Sequence, residues 1–142
     1  MNAIAEAIRQ NSIKEYQRAR YPDIQDGELV RFVEEDFSNV DFGLFPAGFF
    51  EFYNCSLDNS CGFHGQPITI IDSSARNIDF TGTKTILYAE NCDFTGMKYN
   101  SETLLAYDSR TISIFTNCTI DPEAREFLMS QGVQIIDTIL PQ

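Results

Sequence analysis

Large apolar residues recur every five positions in the first half of the chain, in two parallel series. The first series is Phe32, Phe37, Phe42, Phe52 and Leu57, with the small Ala47 at its remaining position. The second is Val30, Val40, Phe45, Phe50 and Cys55, and it is broken by Glu35. An α-helix rotates about 100° per residue, so a period of five misses one face by about 140°. A simple strand fails as well, because an odd period alternates its two faces. A chain that turns a corner every five residues satisfies both series, and four such sides make a coil of about 20 residues that stacks on the next.

A four-residue phrase led by asparagine recurs along the same stretch. Each copy has a turn-forming Asn, a small apolar residue, a small polar residue and a large apolar residue. The copies begin at Asn39, Asn54, Asn77, Asn91 and Asn117, in steps of 15, 23, 14 and 26 positions. Asn tolerates the left-handed backbone region at a corner, and the alternation that follows places two side chains inward and one outward. The phrase therefore predicts a stacked array, and its uneven steps predict irregularities at residues 60–67 and 96–103.

This pattern resembles the repeat of the pentapeptide-repeat family, which has a small residue, Asp or Asn, Leu or Phe, and two variable positions. The matching copies are Val40-Asp41-Phe42-Gly43-Leu44, Ile78-Asp79-Phe80-Thr81-Gly82 and Cys92-Asp93-Phe94-Thr95-Gly96. The resemblance covers about residues 29–120 and implies an all-β solenoid, a right-handed parallel β-helix of about four to five short coils. Its interior is expected to contain Phe42, Phe52, Phe80 and Phe94.

The N-terminal part of the chain lacks the repeat and is predicted to be helical. Ile4 and Ile8 share one helical face, and Ser12 and Glu15 form a capping box at the start of a second helical stretch. We therefore expect residues 1–28 to cap the β-helix of residues 29–120, because an open coil end exposes apolar side chains and unpaired backbone groups.

The C-terminal part, residues 121–142, is predicted to be a capping helix followed by a strand. Asp121 suits the N-cap and Pro122 the first helical position, while Gly132 suits the end of the helix. The apolar residues of this cap raise the alternative of a homodimer. The residues expected at that contact are Phe127, Leu128, Ile135 and Ile139.

Three of the four cysteines are predicted to be buried, reduced and unliganded. Cys55, Cys92 and Cys118 occupy the small apolar slot of the phrase, so they act as small hydrophobic residues. Cys61 and His64 lie outside the pattern. With Cys55 they leave open a three-ligand metal site, and by themselves a thiol nucleophile with its base. No paired C-x-x-C spacing favours a metal, so we expect no metal and no cofactor.

Signatures of catalysis are missing from the sequence, which predicts a protein that is not an enzyme. It has no Gly-rich phosphate loop, no G-x-S-x-G elbow and no H-E-x-x-H motif. Asp41, Asp79 and Asp93 occupy the outward position of the repeat, which accounts for them without a catalytic pair. The first residues do not resemble a signal peptide and no run of about 18 apolar residues occurs, so a cytoplasmic protein without membrane contact is expected.

Charge gives the main indication of function. The chain has 21 acidic and 10 basic residues, a net charge of −11, and residues 26–58 contain eight acidic residues against Arg31 alone. Direct binding of nucleic acid needs the opposite sign, whereas a basic protein partner would be attracted. The predicted partner-binding acidic face is Glu34, Glu35, Asp36, Asp41, Glu51 and Asp58.

These features predict a non-catalytic interaction protein that inhibits or protects a basic, nucleic-acid-binding protein by mimicking the charge of DNA. Several members of the family that the repeat resembles protect DNA gyrase by presenting an acidic, DNA-like rod. The array here is shorter, which favours a smaller target than gyrase. The alternatives are an immunity protein that neutralises a toxin, a carbohydrate-active β-helix enzyme, and acidity that only keeps the protein soluble.

Overall fold

Short helices at both ends of the chain flank a series of short strands in this computed structural model, which describes residues 3–20, 29–45, 49–63, 67–105 and 113–139. The helices are α1 (Ala3–Arg9), α2 (Ile13–Arg20) and α3 (Pro122–Ser130), with a 3₁₀ helix at Phe42–Leu44. The strands are β1 (Leu29–Val33), β2 (Phe49–Tyr53), β3 (Ile68–Ile71), β4 (Leu87–Glu90), β5 (Ile114–Thr116) and β6 (Gln134–Ile136).

The six strands form one parallel sheet in chain order, β1-β2-β3-β4-β5-β6. Paired residues lie 20 positions apart between β1 and β2, and then 18, 19, 26 and 20 positions apart. Parallel neighbours require the chain to return to the same end of the sheet before each new strand. We call each strand with the connection that follows it a rung, so that rungs 1 to 6 begin with β1 to β6.

Parallel pairing continues from rung to rung along the connections. One column of bridges joins Asp36, Ser56, Ser74, Asp93, Thr119 and Ile139. Further bridges join Asp41 to Cys61, Asp79 to Lys98 and Lys84 to Leu104. The rungs are therefore paired on more than one side, as the five-residue spacing predicts.

The irregularities of the repeat lie partly where the sequence predicts them. Between Cys61 and Ile68 rung 2 is two residues shorter than rung 1, which confirms the irregularity at residues 60–67. Within residues 96–103 the chain gains only one residue, because Lys98 lies opposite Asp79 and Leu104 lies opposite Lys84. The other six residues that lengthen rung 4 lie between Leu104 and Ile114, so most of this insertion was predicted too early.

The leading asparagines of the five phrases all adopt positive φ, between 54° and 65°, which confirms their prediction as corner residues. They occupy two different corners. Asn54, Asn91 and Asn117 directly follow strands β2, β4 and β5, whereas Asn39 and Asn77 lie five residues after the first corner of their rungs. The first three steps between phrases alternate in length because the phrases mark both corners. The last step, from Asn91 to Asn117, joins two first corners and is long because rung 4 is long.

The core lies between the sheet and the connections. β1 alternates exposed and buried residues, and the inward column of the sheet is Phe32, Phe52, Ile70, Ala89, Phe115 and Ile135. Phe42, Phe52, Phe80 and Phe94 are all buried, as predicted. Phe52 contacts four other rings, with centroid distances of 5.4 to 5.8 Å. The rings on the five-residue spacing therefore form the interior of the first rungs.

The N-terminal helices pack on rung 1. Tyr16 of α2 is buried against Phe45, with ring centroids 5.0 Å apart. Ser12 caps the start of α2 as predicted, since its Oγ accepts a hydrogen bond from Glu15 N at 3.2 Å. None of the described helices is long and apolar enough to cross a membrane.

The C-terminal cap has the predicted order of helix and then strand. Pro122 begins α3, and this helix buries Ala124 in its first turn and Leu128 near its end. Gly132 follows the C-cap with φ 85°, where Gly132 N donates to Met129 O and Val133 N to Leu128 O; this is the Schellman arrangement. Asp121 has N-cap backbone geometry but makes no side-chain cap.

Candidate interaction face

The first corner of each rung forms a continuous column on the surface, which we call the corner column. Its residues are Glu34, Asn54, Asp72, Asn91, Asn117 and Asp137, all with φ between 53° and 56°. Asn and Asp accept this left-handed region at the lowest cost after glycine. Asn117 Nδ2 donates to Asn91 Oδ1 at 2.7 Å, and Asn91 Nδ2 donates to Asp72 Oδ1 at 3.0 Å. The side chains of Asn117, Asn91 and Asp72 therefore form a chain of hydrogen bonds, which holds this part of the column in place and ends at the Asp72 carboxylate.

Aspartates of the next column are held by the backbone of their own corner. Asp36 Oδ1 accepts from Ser38 N at 2.9 Å, and Asp93 Oδ1 accepts from Thr95 N at 3.0 Å. Hydrogen bonds from the Ser38 hydroxyl and N–H lower the pKa of Asp36. These bonds favour the charged form, so this side chain is both fixed in place and ionised at neutral pH.

The second corner adds carboxylates that link neighbouring rungs. Asp58 Oδ1 accepts from the Ser74 hydroxyl at 2.6 Å and from Arg76 N at 2.8 Å. Asp121 Oδ2 accepts from Gly96 N at 2.7 Å, which explains why this residue does not cap α3 itself. The carboxylates on this side of the protein are therefore positioned by hydrogen bonds both within and between rungs.

Together these columns place seven carboxylates on one side of the described chain, which we call the acidic face. Its members are Glu34, Asp36, Asp58, Asp72, Asp93, Asp121 and Asp137. Among the described residues of these columns, Arg76 is the one basic side chain, and its Nη1 lies 3.3 Å from Asp93 Oδ2. A shallow groove of about 560 Å³ runs between Asp72, Asn91 and Thr119. The face thus combines ordered negative charge with open polar surface.

The predicted acidic residues divide between this face and other sides of the molecule. Glu34, Asp36 and Asp58 belong to the acidic face. Glu35 instead binds Arg9 Nη1 at 2.8 Å, with 17% of its side chain exposed. Glu51 lies on the sheet and accepts from Arg31 Nε and the Tyr53 hydroxyl, each at 3.0 Å.

Asp41 is exposed, but it lies on the side that follows the second corner. There its Oδ1 accepts from Gly43 N at 2.8 Å, and its bridge partner on rung 2 is Cys61. Asp79 repeats this turn with Thr81 N at 2.8 Å, and hydrogen bonds from Thr81 lower its pKa.

Four members of the acidic face were missed in the sequence: Asp72, Asp93, Asp121 and Asp137. They come from rungs 3 to 6, beyond the dense acidic segment of residues 26–58. Their signal is positional, because Asp72 and Asp137 directly follow β3 and β6 at the same corner as Glu34. A count of charges within a short segment cannot find this face, because residues that are neighbours across rungs are 18 to 26 positions apart in sequence.

The four residues predicted for a homodimer contact differ in the surface that they expose. Leu128 is fully buried within its own chain and offers no surface to a second copy. Phe127 is half-buried and stacks on Tyr99, with ring centroids 4.3 Å apart. Ile135 is also half-buried, while Ile139 is 45% exposed. A contact through this cap would depend mainly on Ile139.

The cysteines of the repeat face the core. Cys55, Cys92 and Cys118 are buried, as predicted, and none of them forms a disulfide. Cys55 Sγ lies 3.5 Å from Phe32 O, and Cys92 Sγ lies 3.2 Å from Ile70 O. Burial raises the pKa of Cys55, and the adjacent Cys118 thiol together with burial raises that of Cys92.

Of the residues considered for a metal site or a nucleophile, the structure describes Cys55 and Cys61, which point to different parts of the protein. Cys61 is half-buried on the side of Asp41, whereas Cys55 points into the core. Burial and the charge of Asp41 raise the pKa of Cys61, which disfavours a thiolate there. His64 lies outside the described residues, and within them no group of three potential ligands is assembled.

Thiol labelling gives a direct check on this arrangement. Under native conditions we expect Cys61 to react with iodoacetamide before Cys55, Cys92 and Cys118, because the three buried thiols are shielded from the reagent by the core. Mass spectrometry of tryptic peptides, taken over a time course, measures each site. Labelling in denaturant is the control, where all four should react at similar rates. Equal labelling of all four cysteines in the native protein would contradict the inward orientation.

No protein-family model, curated protein or solved structure matches this chain. The pentapeptide-repeat resemblance consequently stays a hypothesis that depends on the three motif copies and on the corner residues described above.

Proposed function

We propose that the rungs form a short right-handed parallel β-helix of the pentapeptide-repeat type. Three observations support this fold: strand order that follows the chain, rung lengths of 18 to 26 residues, and parallel bridges on more than one side. The hand follows from the strong preference of parallel crossovers for right-handed connections. In this fold the acidic face is one side of a short prism.

We infer that the protein is a non-catalytic binding protein whose acidic face holds a basic protein surface, of the kind that otherwise binds nucleic acid. The observation that carries this inference is the gathering of seven carboxylates from six rungs onto one side. Parallel rungs are about 4.8 Å apart, so the face is about 24 Å long. That gives roughly one carboxylate per 3.4 Å, similar to the phosphate spacing of about 3.4 Å along one strand of B-DNA.

Order within the face strengthens the proposal. Backbone and amide groups already hold Asp36, Asp58, Asp72, Asp93 and Asp121 in place. A carboxylate has about four acceptor sites, so these side chains keep capacity for the Lys or Arg of a partner. Charges that are already fixed lose little conformational freedom on binding, and they speed the encounter at low salt.

Substitution of the corner column tests this function. The triple variant Glu34→Asn, Asp72→Asn and Asp137→Asn removes three charges and introduces the residue that the same corner has at Asn54, Asn91 and Asn117, so the backbone is preserved. Surface charge pairs contribute about 0.2–1 kcal/mol each. The partner for this test is a basic protein captured from a host-cell lysate on the immobilised unmodified protein. We expect the affinity of the triple variant for this partner to fall by about tenfold, with a weaker dependence on salt.

The matched control is Glu15→Gln, Glu102→Gln and Glu126→Gln, which removes the same charge from exposed residues outside the acidic face. Its binding should stay close to that of the unmodified protein. The measurement is retention of the captured protein on each immobilised variant, with and without competing duplex DNA. An acidic partner, or a basic partner that DNA does not displace, would refute mimicry of nucleic acid. The second outcome would favour the immunity-protein alternative.

A further inference from the structure

The outward side of the parallel sheet, which we call the outer sheet face, exposes large apolar side chains. Leu29, Val33, Phe49, Tyr88 and Ile136 are 47%, 55%, 39%, 40% and 39% exposed. Tyr53, Ile71 and Ile114 lie half-buried between them. Contiguous exposed apolar surface on a soluble protein is typical of an interaction site, and parallel sheets are usually covered on both faces.

Charge on the outer sheet face is low. Arg31 Nε and Glu51 Oε1 pair at 3.0 Å, and Glu90 is half-buried among the described outward residues. The positions most suited to contact are therefore apolar or aromatic. They were overlooked in the sequence because the same two-residue alternation describes the core-facing and solvent-facing sides of a strand.

The apolar surface borders directly on the corner column. The last outward position of the strands runs Val33, Tyr53, Ile71, Glu90, Thr116 and Ile136 from rung 1 to rung 6. The corner residue follows each of these positions immediately in sequence, so Val33 precedes Glu34, Ile71 precedes Asp72 and Ile136 precedes Asp137. A mainly apolar strip thus runs beside a strip of carboxylates and amides.

We propose that the partner inserts a basic amphipathic helix here, with its apolar side on the outer sheet face and its Lys or Arg side chains towards the corner column. This inference rests on the proposed function and names the partner element that the acidic face binds. One helical turn rises 5.4 Å, close to the rung spacing of about 4.8 Å. A helix of about 16 residues would span the face of about 24 Å, and its diameter of about 10 Å suits three outward positions.

A second copy of this chain fits the surface less well. The outer sheet face measures about 24 by 13 Å, or about 300 Å², from rung spacing and strand rise. Stable dimers need about 800 Å² from each partner. Two copies would also bring together chains that each carry a net charge of −11. Charge complementarity therefore favours a basic helix.

Two synthetic peptides of identical composition test the proposal. The first is an 18-residue peptide of Leu and Lys with Leu at positions i, i+3, i+4 and i+7, and with one Trp on the Leu side. The second has the same residues in an order that destroys this period. The protein has no Trp, so the fluorescence of the peptide reports its own environment. We expect a blue shift and at least tenfold tighter binding for the amphipathic peptide.

The protein variant for this test is Val33→Thr with Ile136→Thr. Thr keeps a β-branched side chain, and Thr116 already occupies the same column. Both sites are exposed, so the double variant should unfold at nearly the same urea concentration as the unmodified protein. We expect at least a tenfold loss of affinity for the amphipathic peptide, with its salt dependence unchanged and with the blue shift lost. The corner triple variant should instead flatten the salt dependence.

These outcomes separate the two proposals. If the scrambled peptide binds equally well, or if the Thr double variant binds normally, the helix-docking inference is wrong, although the acidic face can still bind its captured partner. If the corner triple variant has no effect on binding of the peptide or of the captured protein, the acidic-face function is wrong, and so is the placement of the Lys and Arg side chains against the corner column. The apolar contact of the helix with the outer sheet face is then decided by the Thr double variant alone. Sedimentation velocity tests whether a second copy of this chain occupies the surface. If the unmodified protein is a dimer and the Thr double variant is a monomer, the surface is a dimer interface and the inference is wrong. If the Thr double variant folds poorly, hydrogen exchange of the unmodified protein takes its place. The proposal then requires that the amphipathic peptide slows exchange of the amides of β1 and β6.

Discussion

Phe52→Ala is expected to lower the free energy of unfolding by about 3–5 kcal/mol, the range for truncating a buried aromatic ring. Phe52 is fully buried in the inward column of the sheet. It contacts Phe32, Phe37, Phe42 and Phe50, so its loss leaves a cavity that several rings line. Urea unfolding followed by circular dichroism measures the change.

Phe49→Ala is the matched control for this prediction, since it removes the same ring from the same strand. Phe49 points outward and is 39% exposed, so we expect a change well below that of Phe52→Ala. Because stability is typically only about 5–15 kcal/mol, Phe52→Leu serves as a milder variant if the alanine variant does not fold. Equal effects at both positions would contradict the inward and outward alternation of β2.

Gly62→Ala is expected to have the second large effect, lowering the free energy of unfolding by roughly 2–4 kcal/mol. Gly62 has φ 84°, where an L-residue is strained. A Cβ there would also overlap Asp41 Oδ1 and the backbone N of Gly43 on the neighbouring rung, and would lie 3.0 Å from Gly43 Cα. The backbone of a paired rung has little room to move, so strain and collision add.

Gly82→Ala separates the two causes. Gly82 has a similar φ of 70°, but nothing lies within 4 Å of an added Cβ. It should therefore cost only the backbone term, about 1–2 kcal/mol. Thermal unfolding of both variants under identical conditions makes the comparison. If Gly62→Ala is no more destabilising than Gly82→Ala, rungs 1 and 2 do not approach as closely as described.

Stability and binding depend on different sides of the same rungs. Phe52 and Gly62 hold neighbouring rungs at their fixed separation, and that separation sets the spacing of the carboxylates on the acidic face. Changes in the core are therefore expected to weaken binding indirectly, through loss of the fold. Substitutions at Glu34, Asp72 and Asp137, or at Val33 and Ile136, should weaken binding while the protein remains folded.

The sequence by itself determined the local features of this chain. The positive φ of Asn54, Asn91 and Asn117 and the burial of Phe80 and Phe94 follow from short patterns around each residue. The helix Pro122–Ser130 is likewise marked by its own end residues. Such features are predictable because backbone preference and two-residue alternation act within a few positions of the chain.

Only the tertiary structure decided which charges share a surface. Glu35 and Asp36 are adjacent in sequence, yet Glu35 pairs with Arg9 of α1 while Asp36 joins the acidic face. Asp72 and Asp137 join it from rungs 3 and 6 because rung lengths of 18 to 26 residues bring every corner into one column. Lateral neighbours depend on the length of each connection and on contacts with the end helices, and neither is encoded in the local pattern of any one repeat.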